Sequence, residues 1–347
     1  MTDDLQDKLC QGCVIPAHPL ALTSDGKIDT RHQRALTRYY LDAGAGGLAV
    51  GVHTTQFAIH NPQVGLYQPV LELAAETVRS HKNDEQQAPI LIAGIVGPTA
   101  QAIKEATLAR DLGYHLGLLS LTALAGKSNQ ELIDHARAVA DIIPIMGFYL
   151  QPTLSGMVLD QAFWRTLVQI PELLAIKIAP FDRYKTLDVL QAVAESGRDK
   201  DIALYTGNDD TIIQDLITPY SFGNISLRMV GGLLGQWACW TRTAVEVLRR
   251  IQAIHALKTD IPTNLMTLGA QLTLANKAIF DADHRFKGCI PGISYVLQRQ
   301  GLLDNHLSLD PDERLSPGQA DRIDQIIKDN PHLTDNDFVS DNLSQWL

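Results

Sequence analysis

Residues 145–180 read IMGFYLQPTLSGMVLDQAFWRTLVQIPELLAIKIAP. Two short apolar runs, residues 145–150 and 174–178, flank a segment long enough for one helix, so the stretch reads as strand, helix, strand. Lys177 lies inside the second run, and Tyr149 ends the first one 28 residues earlier. One strand–helix repeat takes about that many residues, so the two side chains are expected at the same level on neighbouring parallel strands.

Working outward, the same alternation recurs. Strands are expected at 14–20, 47–52, 90–96, 116–121, 203–206 and 224–229. Asp29 is placed to cap a helix that ends near Gly44, and a helix from Thr99 stops at Gly113. Ser128, three residues before Glu131, forms a capping box. Several strands are almost continuously apolar, as in a parallel sheet covered on both faces. Eight such units in about 250 residues fit a closed (β/α)8 TIM barrel, an α/β fold, better than an open doubly wound sheet. No G-x-G-x-x-G or G-x-x-x-x-G-K-[ST] loop is present. After 229 helices follow without strands. The expected division is a barrel over 14–250 and a C-terminal helical extension with a polar tail over 251–347, in which 320–328 forms one helix.

Composition narrows the function. Of 347 residues, 45% are hydrophobic and 20% charged, too apolar for a disordered chain. The 29 basic and 39 acidic residues give a net charge of −10, against a nucleic-acid partner, which calls for a basic face. The acidic N-terminus lacks a signal-peptide pattern, and no apolar run reaches about 18 residues, so no membrane association and a cytoplasmic location are expected. Cys10 and Cys13 form a C-x-x-C, but no second pair completes a zinc tetrad, and reduced thiols are expected. Asp281, Asp283 and His284 supply too few ligands for a metal, and an exposed polar face is expected there. No cofactor is implied.

In such a barrel the C-terminal strand ends carry the chemistry. They offer His18, His53–Thr55, Tyr149, Lys177, Gly207–Asp210 and Arg228. A lysine in an apolar strand is either paired, extended to the strand end, or held neutral by desolvation. The neutral amine is the form that attacks a carbonyl to make a Schiff base. A phenol beside an imine can relay its protons. His53 and His18 are structural or hydrogen-bond a substrate oxygen. Arg228 either clamps an anion or pairs with Asp209 or Asp210, and those acids alternatively cap the next helix.

Five pieces in register resemble the dihydrodipicolinate synthase / N-acetylneuraminate lyase family of class I aldolases. They are Ile15-Pro-Ala-His-Pro-Leu-Ala-Leu-Thr-Ser-Asp-Gly-Lys-Ile-Asp29, Gly44-Ala-Gly-Gly-Leu-Ala-Val-Gly-Val-His-Thr-Thr55, Phe148-Tyr-Leu-Gln-Pro152, Leu174-Ala-Ile-Lys177 and Tyr205-Thr-Gly-Asn-Asp209. The resemblance implies an imine between Lys177 and a pyruvate-like 2-keto acid, with Tyr149 as proton relay. It places the substrate carboxylate at Thr54 and Thr55, and it implies a homo-oligomer; the strand-end residues His53, Gly207, Asp209 and Arg228 are further substrate-binding candidates. Departures are equally specific. His53-Thr-Thr-Gln-Phe57 replaces the family's Gly-Thr-Thr-Gly-Glu, Leu154 occupies the synthases' arginine position, and Leu121-Thr-Ala-Leu124 replaces their tyrosine pair. The expected function is a Schiff-base lyase, aldolase or dehydratase other than dihydrodipicolinate synthase itself. The alternatives are a non-catalytic barrel that binds a keto acid or sugar acid, and a barrel enzyme of different chemistry whose lysine is structural.

Overall fold

The computed structural model describes residues 2–81 and 88–347. Seven parallel strands follow in chain order: β1 (Val14–Pro16), β2 (Gly47–Val50), β3 (Ile90–Ile95), β4 (Leu116–Leu119), β5 (Ile145–Leu150), β6 (Leu173–Ala179) and β7 (Ala203–Thr206). A short antiparallel hairpin, β8 (Tyr220–Phe222) and β9 (Ile225–Leu227), precedes the last barrel strand, β10 (Gly231–Leu234). The eight-stranded sheet runs β1-β10-β7-β6-β5-β4-β3-β2. A parallel bridge between Ala17 and Ala49, with the His18 N–H donating to the Ala49 carbonyl at 2.8 Å, joins its two ends. The fold is a (β/α)8 barrel with C-terminal helices.

Alternation along the strands makes two cores. Ile15, Ile92, Leu118, Met146, Phe148, Ala175 and Leu233 fill the barrel, and Val50, Ile95, Ile176, Ile178 and Leu204 pack outward under the helices. Local signals set the helices as expected. Asp29 accepts from the Arg31 and His32 amides to start Thr30–Ala43, Gly44 ends it at φ 89°, and Ser128 and Glu131 close a reciprocal cap on Asn129–Ala140. The helix Thr2–Gln11 plugs the N-terminal end of the barrel, with Leu9 in the inner core and its carbonyl accepting from the Tyr205 hydroxyl at 2.8 Å.

The eighth strand is not at 224–229. That segment supplies one arm of the hairpin, with Ser226 and Arg228 in solvent, and β10 follows it. Glycines conceal β10 in the sequence. A Cβ on Gly231 would lie 2.4 Å from the Cys13 carbonyl oxygen, so close packing against the neighbouring chain requires the strand to begin without a side chain. The tail is also more ordered than its polarity suggests. Besides Gln319–Asp329 it forms Asn336–Trp346, whose Trp346 is buried and donates from Nε1 to Asp42 Oδ2 at 2.6 Å.

Cys10 and Cys13 are free thiols at the plugged end of the barrel. Cys13 lies 3.6 Å from the Tyr205 hydroxyl, and burial pushes its thiol up to about 11. Asp281 is buried rather than on a polar face. Its carboxylate accepts from Ser316 Oγ, Arg322 Nη2 and the Gly288 amide and pairs with His284, tying the C-terminal helices together. Among the described residues no group of three or more His, Cys, Asp or Glu is placed to hold a metal.

Candidate active site

Parallel strands aim their C-terminal ends at one face, where a cleft opens over β2, β5, β6 and β7. Lys177 rises from β6 into it, with only 9% of its surface exposed. Gly207, at the end of β7, makes the room. A Cβ there would lie 2.7 Å from Lys177 Cε and 2.7 Å from Ala179 Cβ. Burial pushes the lysine down to about 8, opposed by the carboxylate of Asp209. Asp209 lines the same cleft and is itself pushed up to about 7 by burial, against a hydrogen bond from the Gln236 amide to Oδ1 at 3.0 Å and the charge of Lys177.

His53 and Thr54 form a 3-10 turn directly after β2 and face the same cleft. Burial, with the charge of Lys177, pushes His53 down to about 4, so its imidazole is neutral. Thr54 Oγ1 is buried without a protein partner. Such a hydroxyl is costly to leave unpaired, and a bound oxyanion would satisfy it. Thr55 is committed elsewhere. Its hydroxyl donates to the His18 carbonyl at 2.6 Å and accepts from the Gly51 and Val52 amides, which fixes the turn and removes it from substrate binding. His18 is fully buried, with ring contacts to Pro19 O, Gln33 Nε2 and Thr37 Oγ1, and is part of the packing between β1 and its helix.

Tyr149 is not in the cleft. β5 and β6 begin in register, Ile145 opposite Leu173, and uninterrupted pairing would set Tyr149 opposite Lys177. Leu174 is an extra residue in β6, so Met146 pairs with Ala175, Phe148 with Lys177 and Tyr149 with Ile178. A shift of one residue exchanges the faces of a strand. Tyr149 therefore points into the helix layer. It is fully buried, its ring lies 5.2 Å from that of Trp164, and its hydroxyl donates to the Leu159 carbonyl at 3.1 Å. Phe148 takes the inner position, with its ring centroid 4.5 Å from Lys177 Nζ.

Arg228 is equally remote from the chemistry. It precedes the first residue of β10, on the N-terminal side of the barrel, and its side chain is exposed. It neither clamps an anion at the site nor pairs with Asp209 or Asp210. The Asp210 carbonyl accepts from Thr273 Oγ1 at 2.7 Å, and the Asp209 carbonyl accepts from Asn276 Nδ2 at 2.6 Å. Through these bonds the helix Thr263–Ile279 holds the β7 loop in place.

Of the upper wall of the cleft, the sequence reading named Leu154 alone. Leu150 and Leu154 supply one side, and Phe181, Phe280, Phe286 and Ile293 the other. Phe181 and Phe286 both have left-handed backbones, φ 53° and φ 64°, with ring centroids 6.0 Å apart. That conformation is a rare outlier for a bulky side chain and costs on the order of 1–3 kcal/mol at each position, tolerated where surrounding contacts impose it. At Phe181 one such contact is visible, the amide donating to Asn208 Oδ1 at 3.0 Å. Phe181 follows β6 closely and was findable on that ground. Phe286 lies more than 100 residues further along the chain and carries no local signal.

The family model described as "Dihydrodipicolinate synthetase family" matches residues 11–226, well over half of the chain. The chain belongs to the dihydrodipicolinate synthetase family. Its relatives are distant. It is 25% identical over 191 residues to the 4-hydroxy-tetrahydrodipicolinate synthase of Staphylococcus saprophyticus, covering 54% of this chain and 60% of that one. To the 4-hydroxy-tetrahydrodipicolinate synthase of Symbiobacterium thermophilum it is 24% identical over 262 residues, 70% of this chain and 83% of that one. The dihydrodipicolinate synthase of Acinetobacter baumannii, solved in complex with pyruvate, superposes with a TM-score of 0.74 at 18% identity, covering 92% of this chain and 99% of that one. In this chain the strand lysine faces the cleft, and its neighbour on the adjacent strand is a phenyl ring.

Proposed function

We propose that the protein is an aldolase-type lyase that binds pyruvate or a similar 2-keto acid as an imine on Lys177. Family membership supports the reaction class, and the observation that carries the reading is the single buried lysine at the mouth of the barrel, drawn well below the ordinary lysine range. A fall from 10.5 to about 8 raises the neutral fraction of the amine near neutral pH by roughly two orders of magnitude.

In this reading Nζ attacks the C2 carbonyl, water leaves, and the iminium becomes the electron sink for the bond made or broken at C3. The Thr54 hydroxyl and the neutral His53 ring donate to the keto-acid carboxylate. With Tyr149 facing the helices, proton transfer falls to Asp209, the carboxyl that shares the cleft with the amine. Burial raises it toward neutral pH, where a carboxylate accepts the C3 proton and its acid form returns one to the product oxygen. Among the described residues lining the cleft there is no phenol, which favours a second reading, a barrel that binds a keto acid without turning it over.

Borohydride reduction in the presence of pyruvate tests the first step. A peptide carrying a reduced pyruvate adduct on Lys177 is expected, and an unmodified Lys177 would remove the imine. A product assay on the same preparation then separates a lyase from a binding protein.

A further inference from the structure

The wall facing Lys177 says what kind of carbonyl partner the enamine would meet. We infer that the second substrate is an aryl aldehyde, a deepening that rests on the imine at Lys177 proposed above.

Three observations converge on it. First, the cleft, about 600 Å³ including its open mouth, has no cation among its described lining residues apart from Lys177. A second carboxylate would find no fork to replace its water shell, and would face the carboxylate of Asp209. Leu154, 40% exposed at the rim, adds an apolar side chain to the lining. Second, the wall is aromatic. Phe148 lies beside Nζ, and Phe280 lines the cleft beside Gly235. A polyol chain would leave its hydroxyls unpaired against these rings. Third, Phe181 and Phe286 both have left-handed backbones, φ 53° and φ 64°, and their rings stand 6.0 Å apart at 59°. Two tilted rings at the mouth offer edge and face to a third aromatic ring. Phe286 comes from the C-terminal helical region, so that region shapes specificity.

The chemistry balances without a further reagent. The C3 proton of the iminium passes to the Asp209 carboxylate, giving the enamine. C3 then bonds to the aldehyde carbon while the aldehyde oxygen takes the proton back from Asp209. Water hydrolyses the iminium and releases a 4-aryl-4-hydroxy-2-oxobutanoate and the free amine. The reverse sequence cleaves that acid to pyruvate and the aldehyde.

The test incubates the full chain with pyruvate and, separately, benzaldehyde, glyceraldehyde and aspartate semialdehyde, and measures carbon–carbon product by mass. An apolar side group in a fitted pocket is worth about 10–200-fold in specificity, so kcat/KM for benzaldehyde is expected to exceed both others at least tenfold. Phe286→Ala should raise the KM for benzaldehyde about tenfold, and Leu154→Glu, at the exposed rim, should move it the same way if the larger truncation fails to fold. The borohydride adduct with pyruvate is measured on every preparation. An adduct together with equal rates, a preference for either polar aldehyde, or no benzaldehyde product overturns the aryl assignment alone. Absence of the adduct overturns the imine, and the aryl partner with it.

Discussion

Lys177 Nζ lies 4.5 Å from the ring centroid of Phe148, the residue before the tyrosine that the sequence places beside it. A single extra residue in β6, Leu174, makes that exchange. A phenyl face attracts an ammonium modestly and cannot transfer a proton. The cleft therefore presents an amine, with no phenol among its described lining residues.

Tyr149→Phe follows directly. The substitution removes one buried hydroxyl that donates to the Leu159 carbonyl, so a stability loss of about 1 kcal/mol is expected in thermal denaturation. Turnover on an identified substrate should stay within about twofold, against the roughly 10²–10⁴-fold loss of a true proton relay. A loss on that larger scale would return Tyr149 to the mechanism.

Gly207→Ala tests how the lysine is seated. The new methyl would meet Lys177 Cε and Ala179 Cβ at 2.7 Å each, closer than packed carbons tolerate. Overpacking of this kind costs about 1–3 kcal/mol. Lys177 should be displaced, and pyruvate trapping should fall while circular dichroism shows the barrel intact. Unchanged trapping would show that the lysine reaches its substrate along another route.

Asp209→Asn separates binding from proton transfer. The Asp209 carboxylate holds the Lys177 value up against desolvation, so removing it should lower that value further. The sign is then fixed. In the parent protein imine formation should rise with pH as Lys177 loses its proton around 8, and in the variant the same rise should begin at lower pH. Turnover should nevertheless drop about 10²–10⁴-fold, since the proton acceptor is gone. Stopped-flow absorbance on pyruvate binding, set beside steady-state turnover, reads both.

Arg228→Ala should leave the KM for every substrate unaltered, because the side chain is exposed on the far side of the barrel. A rise in KM for an anionic substrate, measured in the same assay, would place the guanidinium at the site.

Much of this architecture is legible in the sequence, for physical reasons. β5 and β7 run over the residues where apolar patterning sets them, and the caps at Asp29 and Ser128 are local chemistry that needs no tertiary context. Lys177 stands out because an amine in an apolar strand is expensive. The face of Tyr149 is not legible. A bulge at Leu174 changes which residues oppose one another without changing the 28-residue offset between Tyr149 and Lys177. Gly231 and Gly232 hide β10, since their value lies in what they do not fill. Phe286 reaches the cleft only through packing of the C-terminal helices, and no periodicity near it announces that destination.

The imine itself is open to one direct measurement, mass spectrometry of tryptic peptides after borohydride reduction with pyruvate, performed across pH on the parent chain and on Lys177→Arg. Expected is a reduced pyruvate adduct confined to the Lys177 peptide, growing as pH rises toward 8 and absent from the variant. An unmodified Lys177 peptide at every pH, or an adduct of equal yield in Lys177→Arg, would contradict a Schiff base at this lysine.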